Sequence, residues 1–289
     1  MSTLLRKRFN DYMVLRNFSP KTIDAYIDAV AGLAWFYHQF PDKLSNQEIQ
    51  AYLLHLIQKR KLAWSSCNVI FSGLRCFYTH VLTWDETRFH IPPRPRQHKL
   101  PMLLSVEEVN RLLNSVTNLK HRALLMTVYG AGLRVSEVVN LKPHHIESSR
   151  MLIRVEQGKG KKDRYTILPQ RLLTELRDYW RAYRPVSWLF FGQDKNSPMP
   201  TGTAQKIYYK AKKDSDIKKA RGIHTLRHCF ATHLLDQGVD IHLIKQVLGH
   251  TALSTTSKYL HTTQKKIAQV KSPLDTFILP DISSKTEED

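Results

Sequence analysis

The chain has 289 residues, enough for one large domain or two ordinary ones with proper cores. Its 44 Lys and Arg against 25 Asp and Glu leave a net charge of +19, and a surplus that large points to a polyanionic partner, nucleic acid or anionic membrane, because self-repulsion is otherwise unfavourable. No uninterrupted apolar stretch is long enough to span a bilayer, and charges break up the apolar residues of the N-terminus, so neither a membrane span nor a signal-peptide core is expected.

In chain order, Ser19-Pro20 opens a helix, Ser as N-cap and Pro in the first turn, with Ile23, Tyr26, Ile27, Val30, Leu33, Ala34 and Tyr37 at helical spacing. Ser45 and Glu48 form a capping-box pattern ahead of a second helix carrying Ile49, Tyr52, Leu53, Leu56 and Ile57. A third helical pattern runs from about Ser65 to Leu82. With no strand pattern in residues 1–85, residues 1–87 are expected to be a small all-helical domain. Residues 88–101 hold four prolines among Arg88, Arg94, Arg96 and Lys99; such a stretch cannot be helical, and 88–104 is expected to be an extended basic linker.

A second capping box, Ser105 and Glu108, restarts the fold for a second domain over 105–272 that mixes helices with a small sheet. Helices are expected at 105–115, 119–130, 134–140, 170–183, 203–213, 224–237 and 241–248. Short strands Met151–Val155 and Tyr165–Leu168 flank a turn, Gly158-Lys159-Gly160-Lys161-Lys162-Asp163. Gly238 and Gly249 sit where C-caps belong, and Asp240 is the N-cap between them. Residues 273–289 lose the pattern and are expected to form a mobile tail. Cys67, Cys76 and Cys229, odd in number and widely spaced, argue against a disulfide framework and for a reducing cytoplasm.

Four stretches place polar residues where packing does not need them. In Tyr129-Gly-Ala-Gly-Leu-Arg-Val-Ser-Glu137, two glycines break an apolar helix just before Arg134, whose planar fork suits two phosphate oxygens, with Glu137 one turn on to hold it; a surface ion pair is the bland alternative. Glycines on both sides of Lys159 allow a tight turn that lets the ammonium reach into a site, although taken alone the stretch is more simply a solvated basic turn that touches DNA backbone nonspecifically. His224 and Arg227 share one helix face near an N-terminus, where an anion is favoured. His224, His228 and His233 raise a metal alternative, but the pair lacks the glutamate of a zinc hydrolase motif and no carboxylate cluster completes a site. Finally, Leu248-Gly-His250 precedes Tyr259, one of twelve tyrosines, which on its own is far more simply a packing residue.

Taken together, Arg134, Lys159, His224-x-x-Arg227, Leu-Gly-His250 and Tyr259 resemble, in order and spacing, the tyrosine recombinase (phage-type integrase) family over nearly the whole chain. The Gly-Leu-Arg-Val-Ser-Glu and His-Thr-Leu-Arg-His wording is similar to its Xer and integron branch, with a mobile element as source. The resemblance implies a mainly α, two-domain C-shaped DNA clamp: a helical SAM-like core-binding domain and a catalytic domain with a small β-sheet. It implies a homotetramer on synapsed double-stranded DNA sites, with no cofactor, metal, membrane or small-molecule substrate. Tyr259 would attack the scissile phosphate, Arg134 and Arg227 would clamp its nonbridging oxygens, Lys159 would protonate the leaving 5′-oxygen, His224 would assist proton transfer and His250 would bond the phosphate.

Basic residues of the linker (Arg94, Arg96, Lys99), of the turn (Lys161, Lys162, Arg164) and of the run at 206–221 (Lys210, Lys212, Lys213) are expected to follow the DNA backbone. Two other classes share parts of this pattern: a type IB topoisomerase that relaxes DNA without synapsis, and a noncatalytic DNA-binding accessory protein of the same fold.

Overall fold

The computed structural model describes residues 3–84, 87–92, 102–156, 163–250, 252 and 256, and the chain divides into two compact units, Met1–His98 and Lys99–Asp289. The first unit is built from four helices among its described residues: α1 (Thr3–Leu15), α2 (Pro20–Tyr37), α3 (Asn46–Gln58) and α4 (Trp64–His80). The entrance to α2 is capped as the sequence implies, the Ser19 hydroxyl accepting from the Thr22 N–H. At α3 the capping box is reciprocal: Ser45 N–H donates to Glu48 and Glu48 N–H to Ser45 Oγ. Helix α1 was not expected; only Phe9 and Met13, four residues apart, are buried along it, too sparse a signal among so many charges.

These helices enclose a core of Phe9, Leu33, Leu53, Leu74, Phe77 and Tyr78. Tyr78, fully buried, donates its hydroxyl hydrogen to the Pro41 carbonyl at 2.6 Å, so its polar atom is satisfied inside the core. Residues 87–92 form neither helix nor strand, and they pack on this unit rather than hanging free. Phe89 is 2% exposed within the same core, and the Arg88 and His90 N–H groups donate to the side chains of Asn46 and Gln50. Residues 93–101 of the expected linker, including Arg94, Arg96 and Lys99, lie outside the described residues, and its last residue, Leu104, is buried in the second unit's core.

The second unit contains α5 (Val106–Asn114), α6 (Leu119–Gly130), α7 (Val135–Val139), α8 (Gln170–Tyr183), α9 (Thr201–Asp214), α10 (His224–Asp236) and α11 (Ile241–Leu248). Strands β1 (Ile146–Glu147), β2 (Leu152–Val155) and β3 (Arg164–Ile167) form an antiparallel sheet in the order β1-β2-β3, with Val155 opposite Arg164 across the segment that carries Lys159. Helix α6 is apolar on most sides and buries Ala123, Leu124, Leu125 and Val128 at the centre of the main core. A smaller core of Phe230, Ala231, Leu235, Ile244, Val247 and Leu248 binds α10 to α11 and so fixes where the chain leaves α11.

The chain joins this unit at Leu104. Its N–H points at Cys229 Sγ, 3.3 Å away, and its carbonyl lies 3.0 Å from His233 Nε2, both partners being on α10. A carbonyl can only accept, so Nε2 carries the proton, and Nδ1 accepts from the Tyr129 hydroxyl at 2.9 Å.

Candidate active site

The turn between α6 and α7 begins the site. Gly132 has φ +62°, and a Cβ there would lie 2.4 Å from the Phe230 ring, so both conformation and space demand glycine. The turn delivers Arg134 to the start of α7, and Glu137 folds back onto it, accepting from the Arg134 N–H at 2.8 Å and from Nη1 at 2.7 Å. Among the described residues Arg134 Nη2 and Nε have no hydrogen-bond partner, and the side chain keeps 20% of its exposure.

On α10, Arg227 is buried. Its Nη1 donates to the Gly132 carbonyl at 2.6 Å and approaches Glu137 at 3.5 Å. Its Nη2 donates to the Leu248 carbonyl at 2.6 Å and lies 3.2 Å from His250 Nε2. One guanidinium therefore ties the turn that presents Arg134 to the turn that presents His250. Gly249 makes that second turn, closing α11 at φ +64°.

An arginine can only donate, so His250 Nε2 accepts from Arg227 and Nδ1–H donates to Thr256 Oγ1 at 2.9 Å. Burial, then the charges of Arg227, Arg134, Arg164 and His228, push the His250 pKa down to about 4, so the ring is neutral. His224 is exposed at the head of α10. Partial desolvation and the neighbouring Arg227 and Arg134 lower its pKa, with Glu137 opposing them. Burial would raise the Glu137 carboxyl, but hydrogen bonds and charge from Arg164, the Arg134 N–H and the Arg227 charge outweigh it, bringing the pKa to about 2.

Arg134, Glu137, His224, Arg227 and His250 are thus brought together. Lys159, Lys161, Lys162 and Tyr259 lie outside the described residues, while Thr256, three positions before Tyr259, is fully buried against His250. A cleft of about 660 Å³ runs beside Arg134 and Glu137, with Lys142 and Trp188 on its wall.

Arg164, expected to face DNA from the turn, is instead turned inward. Its side chain is 11% exposed and donates to both Glu137 oxygens at 2.8–2.9 Å and to the Val247 carbonyl at 3.0 Å. The expected DNA-facing residues Lys210, Lys212 and Lys213 lie on α9. Lys210 pairs with Asp214 at 2.9 Å, and Lys212 donates to the Lys218 carbonyl at 3.1 Å.

Sequence reasoning missed two other contributors. Gln205 Oε1 accepts from the Ile223 N–H at 3.0 Å just before α10, and Thr256 orients His250. Neither stands in a pattern that sequence spacing reveals.

For a metal, His233 is committed to Tyr129 and Leu104. Ligand atoms of His144, His145 and Glu156 do lie within 4.8 Å of one another. However, the Lys142 N–H donates to His145 Nδ1, so the neutral ring carries its proton on Nε2, the nitrogen that faces Glu156 at 3.3 Å. That nitrogen offers a proton where a metal needs a lone pair.

Comparisons with known proteins identify the family. Residues 103–266 match the phage integrase family, and residues 5–86 match the phage integrase N-terminal SAM-like domain. The y4qK protein of Sinorhizobium fredii, named as an integrase/recombinase, is 41% identical over 279 residues, covering 96% of this chain and 91% of its own. The tyrosine recombinase XerA of Thermococcus kodakarensis is 35% identical over 277 residues, covering 93% and 95%. A crystal structure of XerA recombinase superposes with a TM-score of 0.55 at 28% identity, over 92% of this chain and 95% of that one. A crystal structure of XerH site-specific recombinase in a pre-cleavage complex with its difH substrate shares the fold, with a TM-score of 0.69 at 20% identity over 90% and 81%.

The chain belongs to the phage integrase family, the tyrosine recombinases. It is a DNA strand-exchanging enzyme of that family. These likenesses do not favour the topoisomerase or accessory-protein readings. No helix among the described residues is long and apolar enough to cross a membrane.

Proposed function

We propose that this recombinase cuts and rejoins double-stranded DNA at a specific site through Tyr259. The phenolic oxygen attacks the scissile phosphorus, the bond to the 5′-oxygen breaks, and a 3′-phosphotyrosine forms; Lys159 gives the leaving oxygen its proton. A 5′-hydroxyl from a second duplex reverses the step, so the phosphodiester is conserved without an outside energy source. A phenol with a reference pKa of about 10 needs help in losing its proton, and in this reading His224, lowered in pKa, takes it. The observation that carries the reading is the gathering of Arg134 and Arg227 on the Glu137 carboxylate, with His250 beside Arg227. It holds donors and positive charge ready for the two nonbridging oxygens as charge builds in the transition state. Cationic side chains supply the neutralisation, so the scheme uses no metal.

In this reading the first unit and residues 93–101 contribute DNA-backbone contacts, with Arg94, Arg96 and Lys99 among them, and four protomers assemble on two synapsed sites. The setting is the cytoplasm, and the source is a mobile element whose integration, excision or transposition the enzyme performs. The test is a nicked duplex from the host element that traps the covalent adduct. The wild-type protein should form a protein–DNA adduct, and Tyr259→Phe should form none. An adduct made by Tyr259→Phe would overturn the assignment.

A further inference from the structure

Arg164 occupies the centre of the site without a part in the scheme above. It opens β3, the strand entered directly after the segment that carries Lys159. The pleat of β3 turns Arg164 and Thr166 to the same side. Thr166 donates to the Ala131 carbonyl, in the turn before Arg134, at 2.8 Å. All three nitrogens of the Arg164 guanidinium donate within the protein, Nη1 and Nη2 to the two Glu137 oxygens and Nε to the last turn of α11 at Val247. The same carboxylate accepts from Arg134 and is approached by Arg227. The side chain also passes so close to the turn before His250 that a Cβ on Gly249 would lie 2.6 Å from Arg164 Cδ.

A planar fork on a carboxylate fixes both distance and angle, which a point-charge ammonium cannot do. With little water nearby, such a contact holds its geometry firmly. We propose that Arg164 is a positioning residue for phosphate chemistry rather than a DNA contact: through Glu137 and Val247 it sets the mutual placement of Arg134, Arg227 and His250. It also anchors the strand that follows Lys159 to that same carboxylate. This inference rests on the reading that Arg134 and Arg227 hold the scissile phosphate.

The test uses the full chain and the nicked duplex that traps the wild-type adduct, with Arg164→Met, Arg164→Lys, Glu137→Gln and Arg227→Ala. Arg164→Met should slow adduct formation by at least about tenfold, the scale expected from a small misplacement of catalytic groups. Arg164→Lys should recover part of the rate. Both should bind the duplex with an unchanged slope of log affinity against log salt. Adding Glu137→Gln to Arg164→Met should cost no more than the worse single change, because the two act as one unit.

An unaltered adduct rate in Arg164→Met overturns the inference. So does a salt slope shallower by about one, the mark of a lost phosphate contact. If Arg164→Met fails to melt cooperatively, Arg164→Lys is judged by the same rate and slope. Adduct formation by Arg227→Ala at the wild-type rate would instead sink the underlying phosphate reading, whatever Arg164 does.

Discussion

Thr256 Oγ1 lies 2.9 Å from Nδ1 of His250, and the threonine is fully buried. The partners of the imidazole fix its tautomer: Arg227 donates to Nε2, so Nδ1 must donate to Thr256. The residue that settles this sits three positions before Tyr259 in sequence. Replacing Thr256 by Val keeps the shape and removes the acceptor. Adduct formation should fall by the worth of one hydrogen bond, about 1 kcal/mol or a factor of roughly five, with little change in Tm. Single-turnover kinetics on the trapping duplex measure it, and a rate equal to wild type would show that Thr256 does not orient the ring.

The pH dependence of stability follows from His250. Its folded pKa of about 4 lies below the ordinary value of about 6.5, so the unfolded chain takes up the proton first as pH falls. Its contribution is fully present above about pH 6.5, declines as pH drops and is lost on passing through about pH 4. Other histidines with lowered pKa, His224 and His233 among them, act in the same direction, so the measurement is a difference. Denaturant unfolding of wild type and His250→Gln at pH 7 and pH 4.5 should show the gap between them narrowing at the lower pH.

Gly132→Ala should destabilise the second unit. The substitution meets a positive φ and places a methyl 2.4 Å from the Phe230 ring. Overpacking of this kind costs about 1–3 kcal/mol. Calorimetry should show the loss, and because the Gly132 carbonyl accepts from Arg227, adduct formation should fall with it.

Phe89 tests whether residues 87–92 belong to the first core. It is 2% exposed, and truncating a buried phenylalanine costs about 3–5 kcal/mol. Phe89→Ala in the full chain should therefore lower the unfolding midpoint of the first unit by several degrees or more. A midpoint within a degree of wild type would return this stretch to the linker.

The lysines of α9 should report on backbone contacts. Lys206, Lys210 and Lys213 are exposed. Removing any one that neutralises a DNA phosphate should make the slope of log affinity against log salt shallower by about one. Fluorescence anisotropy over a salt series reads the slope, and no change for all three would take α9 off the DNA.

Most helices were legible because their ends carry chemistry of their own. The boxes Ser45/Glu48 and Ser105/Glu108 form as written, and Asp240 caps α11 through the N–H groups of His242 and Leu243. The two-residue β1 offered nothing to read. Strand β3 misleads in a specific way: its apolar Tyr165 and Ile167 are 42% and 37% exposed, whereas its polar Arg164 and Thr166 face inward. Alternation says which residues share a face but not which face is inside, and only the distant Glu137 and Val247 decide it. In the site, the arginines and histidines were legible as a set through a family resemblance. Their mutual bonds, and the parts of Thr256 and Gln205, depend on contacts that no spacing encodes.

The cluster around Glu137 has a consequence for how the folded protein responds to its surroundings. Among the described residues, three guanidinium groups, those of Arg134, Arg164 and Arg227, gather on one carboxylate, a local surplus of positive charge. Without an anion the catalytic unit is a folded state under electrostatic tension. An oligonucleotide phosphate seated beside Arg134 relieves that tension and is linked to folding as any ligand of the native state is. Melting temperature then becomes a function of DNA concentration, and the nucleic acid acts as the last residue of the unit's interior.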